Sequence, residues 1–315
     1  MEVLVEDDAV KVGDRFAISF QRTLRVPESP GPHPLPPSLG RFPLQMTDAL
    51  DDQVPPSWRG WPAVVIPMHQ REALWLAFDG DARTPRAVKV GVGGICAVSG
   101  SPWNEELHDD VQDYVVCPPQ PWLDGLNAGS GEVRQFVAAP LGTGRTVEAQ
   151  LTGSDSVGGM QIVVYGPADG RFPPPPVEDE DDDETPSLGI APGGHIAQKI
   201  YPDPYGVATW EESGATAIFV HLLNTEQYRD LTGLDPPPTP VDAEAYIRNG
   251  LPWFELYDED RADVAPSARL ATMKGLREVE REQGEVVDDE LVGIPADQIR
   301  HIEIGPPGPS GEGRT

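Results

Sequence analysis

Residues 133–165, VRQFVAAPLGTGRTVEAQLTGSDSVGGMQIVVY, decide how the chain is read. Three short segments, VRQFVAA, TVEAQLT and MQIVVY, are separated by LGTG and SDSVGG, which are rich in turn-forming residues. In the second segment Val147, Ala149 and Leu151 alternate with Thr146, Glu148 and Gln150. In the third, Met160, Ile162 and Val164 share one face. A period of two is the strand period. The three segments therefore read as a meander, and the N-terminal part as an antiparallel sheet, sandwich or barrel-like.

Upstream the same pattern recurs. Phe16, Ile18 and Phe20 alternate with Ala17, Ser19 and Gln21 in FAISFQRTLRV; Ala63–Ile66 and Ala73–Phe78 are apolar runs, the second followed by the turn signal Asp79-Gly80. In AVKVGVGGICAV the paired Gly93 and Gly94 mark a bulge or turn. Between Val26 and Pro56, prolines interleave with Leu35, Leu39, Phe42, Leu44 and Met46, which suits a segment wrapped over a core.

Downstream the signal is mixed. ATAIFVHLL (215–223) reads as a buried strand. Asn224 caps TEQYRDLTG, with Gln227 completing a capping box and Gly233 ending the helix. Thr239 and Pro240 open a second helix that stops before Gly250. Leu270, Met273, Leu276 and Val279 predict a third over about 267–283, and Ile299–Ile304 returns as a strand. The fold class expected is α+β and β-rich, with mixed strand and short helices in the C-terminal part. The domain expectation is a β-rich unit over 1–172, a linker or loop over 173–190, an α+β region over 191–305 that packs on the first or stands apart, and a tail over 306–315. The linker is marked by four prolines and by seven consecutive acids, Glu178 to Glu184, whose mutual repulsion prevents packing.

Charge is the strongest global signal. Fifty-two acids against 23 bases give a net charge of −29 over 315 residues. Such a surface repels nucleic acid and anionic membranes and suits a basic partner. No window approaches 18 uninterrupted apolar residues. Met1 is followed by EVLVEDD rather than a basic and then apolar leader. With only Cys96 and Cys117 there is no disulfide framework. The expectation is a cytoplasmic protein, and the arginine bias with abundant Ala, Gly and Pro fits a GC-rich bacterial coding sequence.

Candidate chemistry is sparse. Cys117 stands at the end of the apolar run YVVC, where a thiol is either a nucleophile or a small buried hydrophobe. His69, in IPMHQRE, is the histidine with the most polar surroundings, and with Asp113 it could complete a Cys117, His69 and Asp113 constellation if the fold assembled one. The six histidines form no H-x-x-x-H or H-x-H pair, and the two cysteines have no zinc spacing, so no metal or cofactor is expected. VGVGGICAVSG and PLGTGRT have the glycine density of phosphate loops without their signatures; a hairpin turn explains the second better.

A more unusual feature is proline followed by tryptophan, at SPWN (101–104), QPWL (120–123) and LPWF (251–254), beside the aromatic loop YPDPYG (201–206). Trp103, Trp122, Tyr201, Tyr205, Trp210 and Trp253 are either plugs under loops or a platform for a protein or small-molecule ligand. The leading expectation is a non-enzymatic, acidic binding or interaction protein using the Pro-Trp loops as its contact surface. The alternatives are a hydrolase with a dispersed site and a structural component of a larger assembly.

Overall fold

The computed structural model describes residues 1–28, 31–54, 61–81, 83–172, 188–238, 243–257, 262–285 and 294–303. Strands β1 (Val3–Glu6) and β2 (Ala9–Val12) form a hairpin that pairs with β3 (Phe16–Thr23). The wrapping segment supplies β4 (Ser38–Arg41) against β3 and β5 (Gln45–Met46) against β6 (Ala63–Pro67). β7 (Ala73–Gly80) lies along the whole of β3, so Asp79-Gly80 is strand rather than turn. β8 (Arg86–Val92) and β9 (Ile95–Cys96) flank Gly93 and Gly94, both at positive φ, as a two-residue hairpin requires.

β10 (Val115–Cys117) pairs with β8, and β11 (Trp122–Leu123) with β7. β12 (Gly125–Gly129) and β13 (Glu132–Pro140) make the next hairpin, followed by β14 (Met160–Tyr165), β15 (Leu188–Ala197) and β16 (Thr216–Leu223). Among the described residues these form one sheet, its main path running β1-β2-β3-β7-β13-β15-β16-β14-β8-β10. Pairing is antiparallel except for β6 on β16. Because residues 115–123 bridge β8 to β7, which lie far apart along that path, the sheet curls back on itself. β17 (Trp253–Tyr257) and β18 (Ile299–Glu303) pair in parallel as a separate ribbon.

The fold is thus β-rich α+β, as expected. MQIVVY is buried on both faces: Met160, Ile162 and Val164 join the main core, while Val163 and Tyr165 pack with Ala87, Tyr114 and Trp210. Leu35, Phe42 and Leu44 of the wrapping segment are buried. Of the segment expected as linker, residues 173–187 lie outside the described residues, and 188–190 begin β15, which pairs with β13. The expected tail at 306–315 also lies outside them.

The opening stretch holds one correction. TVEAQLT is not the middle strand of a meander but helix α1 (Val147–Thr152). The Thr146 hydroxyl accepts from the Ala149 amide at 3.1 Å, and Gly153 closes the helix in the left-handed conformation. Buried Glu148 accepts from the amides of Ser156, Val157 and Gly158, so the apparent polar face of a strand is the anchor of the next loop. PLGTGRT accordingly leads into a helix and is not a hairpin turn.

Helix α2 (Thr225–Thr232) carries the expected Asn224–Gln227 capping box and Gly233 terminator. Helix α3 (Ala243–Arg248) ends before Gly250, and its expected cap at Thr239 lies outside the described residues. The single helix expected over 267–283 is interrupted: a 3-10 turn at Leu270–Thr272 is followed by α4 (Leu276–Glu282). Gly275 between them is extended, with ψ 156°, as the residue ahead of a helix ordinarily is, and the Glu28 carboxylate occupies the space beside it and accepts from the Arg277 amide at 2.9 Å.

Candidate functional site

The three residues of the dispersed constellation occupy separate surroundings. Cys117 is buried at the end of β10, and burial pushes its thiol well above the ordinary range. Its carbonyl lies against Gly80, at one end of β7, whereas His69 precedes the other end, a separation on the order of 20 Å along a strand of this length. His69 instead contacts Thr225 and the Pro237 carbonyl through its ring, and its amide donates to Glu72 at 2.9 Å. Asp113 is buried against Lys89 (2.7 Å) and His108 (2.8 Å); the sulfur that reaches its backbone is that of Cys96.

The aromatic residues divide by depth. Trp253 is fully buried against Tyr246, and Tyr201 and Trp210 are buried. Trp103 lies half-buried over Gly91, with the Lys89 ammonium 5.7 Å from its ring. Half-buried Trp122 packs edge-on against Trp75 and donates from Nε1 to Asp124 at 2.6 Å. Asp124 is wholly enclosed, and burial raises its carboxyl to about 7. Tyr205 is 41% exposed, between Phe172 and Trp210. Of the three Pro-Trp tryptophans Trp253 is fully buried, while Trp103 and Trp122 stay partly exposed.

A different place gathers charged side chains into a concavity. Opposite Gln135 of β13, strand β15 carries an extra residue: Arg134 faces His195, Phe136 faces Pro192, and Gly193-Gly194 lie between. A side chain at either glycine would collide, at 193 with Val137 and Gln135 and at 194 with Val26 and Pro27. Glycine thus permits the bulge, and bulges re-aim neighbouring side chains. Beside it opens a cleft of about 460 Å³, lined by Glu132, Arg134 and His195 from the sheet, Arg277, Glu278 and Arg281 from α4, and Glu28 from the wrapping segment.

Within the cleft the polar groups are ordered. His195 Nδ1 lies 2.8 Å from Glu132 Oε2, and its Nε2 accepts from Arg134 Nε at 3.1 Å. Arg134 also donates to the Met273 carbonyl. Burial lowers the Arg134 pKa, opposed by the charges of Glu28 and Glu278. Helix α4 is held in place from behind, since buried Glu280 pairs with Arg145 (3.5 Å) and Arg71 (3.3 Å). Arg277 and Arg281, one turn apart, are left on the cleft side, and among the described residues neither guanidinium has a hydrogen bond or ion pair.

None of these cleft residues was singled out by motif. They come from four separated parts of the chain, and the one local signal was the pair of glycines ahead of His195 in an apolar strand. Among the described residues, no group of three or more His, Cys, Asp or Glu side chains could hold a metal ion, and no helix is long and apolar enough to cross a membrane. No family model, curated protein or solved structure matches the chain.

Proposed function

We propose that the protein is a binding protein and that the cleft at the β13–β15 bulge is its small-molecule site. One observation carries this reading: a cleft of about 460 Å³, the size of small-ligand sites, is lined by charged side chains, two of which have no partner among the described residues. Unpaired cations held side by side are unfavourable in isolation, so their placement makes sense as a site awaiting a ligand. The acidic exterior suits a basic protein partner. The enclosed thiol of Cys117 favours binding over a hydrolase built on it.

The test is shift mapping of the isotope-labelled full chain against a library of small polar compounds. Binding at the cleft moves the amides of Gly193, Gly194 and His195 together. Shifts confined to the indole signals of Trp103 and Trp122 would return the contact surface to the Pro-Trp loops.

A further inference from the structure

We propose that the ligand of the cleft is a small anion bearing phosphate or carboxylate groups, gripped by Arg277 and Arg281 with Arg134 as a third contact; this rests on the cleft being the binding site. Charge pairing within the cleft is the first ground. Glu28 is engaged by the Arg277 amide, and Glu132 by His195. Glu278 is exposed and makes no ion pair with either arginine among the described residues. Three carboxylates share the lining with the three arginines, but among the described residues none forms an ion pair with the Arg277 or Arg281 guanidinium.

Geometry supplies the second ground. Arginines at i and i+4 on α4 have Cβ atoms about 6 Å apart, within reach of one polyoxygen group. Each guanidinium presents a planar fork that matches two oxygens of a carboxylate or phosphate. Of the five N–H donors of Arg134, the Nε donor and one on Nη1 are used by His195 and Met273, which leaves three. Gly31 in the lining has open space where a Cβ would stand, so a ligand can approach the backbone there.

The net charge of −29 opposes an anion at long range. At physiological ionic strength that repulsion is screened beyond about 8 Å, whereas forked contacts act at about 3 Å. Local pairing therefore decides the binding, and the global field slows the approach.

The experiment is calorimetric titration of the full chain at constant ionic strength with inorganic phosphate, citrate, butylamine and glycerol. The expected result is saturable binding of phosphate or citrate at one site, the stronger of the two identifying the group. R277Q/R281Q should weaken it at least tenfold, while E282Q, on the same helix but with its carboxylate paired to Lys274 ahead of that helix, should leave it unchanged. Circular dichroism shows whether each variant is folded. Anion binding that R277Q/R281Q does not alter, or no anion binding at concentrations on the order of 10 mM, overturns the proposal. If butylamine or glycerol binds instead and moves the Gly193 and Gly194 amides, the anion class fails while the cleft stands as the site. If no probe moves those amides, the cleft reading itself fails.

Discussion

Arg134 donates from Nε to Nε2 of His195 at 3.1 Å across the bulge between β13 and β15. An arginine has no lone pair to offer, so Nε2 must be the acceptor and the ring proton must sit on Nδ1, facing Glu132. The expected outcome at pH 8 is the Nδ1–H tautomer of His195 in long-range nitrogen–proton spectra. R134Q should redistribute the tautomers. Observation of Nε2–H in the wild-type chain would show that the Arg134–His195 bond is not made.

The Glu28 carboxylate fills the space that a side chain at Gly275 would need, with Oε2 only 2.0 Å from where a Cβ would stand. That carboxylate also caps α4 through the Arg277 amide. G275A should displace it and lower stability by about 1–2 kcal/mol, the value of a lost cap. E28Q should cost less, since its amide oxygen still accepts. Urea midpoints of the two variants measure this, and an unchanged midpoint for G275A would refute the capping role.

Asp124 gives the fold a defined pH dependence. Its carboxyl, raised from 3.8 to about 7, binds a proton more tightly when folded than when unfolded. Stability from this group is therefore full below about pH 4 and declines as the pH rises to about 7. Above that, the buried charge costs on the order of 4 kcal/mol. D124N keeps an acceptor for Trp122 and removes the charge. It should be more stable than wild type at pH 8 and gain little at pH 4. A pH-independent difference would contradict the assignment.

Both thiols are buried, and burial raises both. In the native chain at pH 7.5, neither Cys96 nor Cys117 should react with a disulfide reagent at the rate of a free thiol, and both should react in denaturant. Rapid native labelling of Cys117 would reopen the reading of that residue as a nucleophile.

Local capping chemistry was the most legible part of the sequence. Asn224, Gln227 and Gly233 specify α2 through contacts within nine residues, and the structure uses all three. TVEAQLT misled because Val147, Ala149 and Leu151 alternate over too short a span to separate period 2 from period 3.6. What fixes it as helix is the Thr146 cap together with a distant loop folding onto Glu148. Likewise, the cap of α4 comes from Glu28, nearly 250 positions away. The cleft was hidden for the same reason: Arg134, His195, Arg277 and Arg281 have ordinary local contexts. The Pro-Trp loops, by contrast, were conspicuous because tryptophan is rare; Trp253 is packing, while Trp103 and Trp122 are half-buried.

The proposed anion grip has two arms, Arg277 and Arg281. The most direct measurement follows their side-chain Nε–H resonances while inorganic phosphate or citrate is added at constant ionic strength. Both signals should shift together and saturate with the same midpoint, accompanied by Arg134. Signals that stay in place while the anion binds elsewhere, or that drift linearly without saturation, would contradict it.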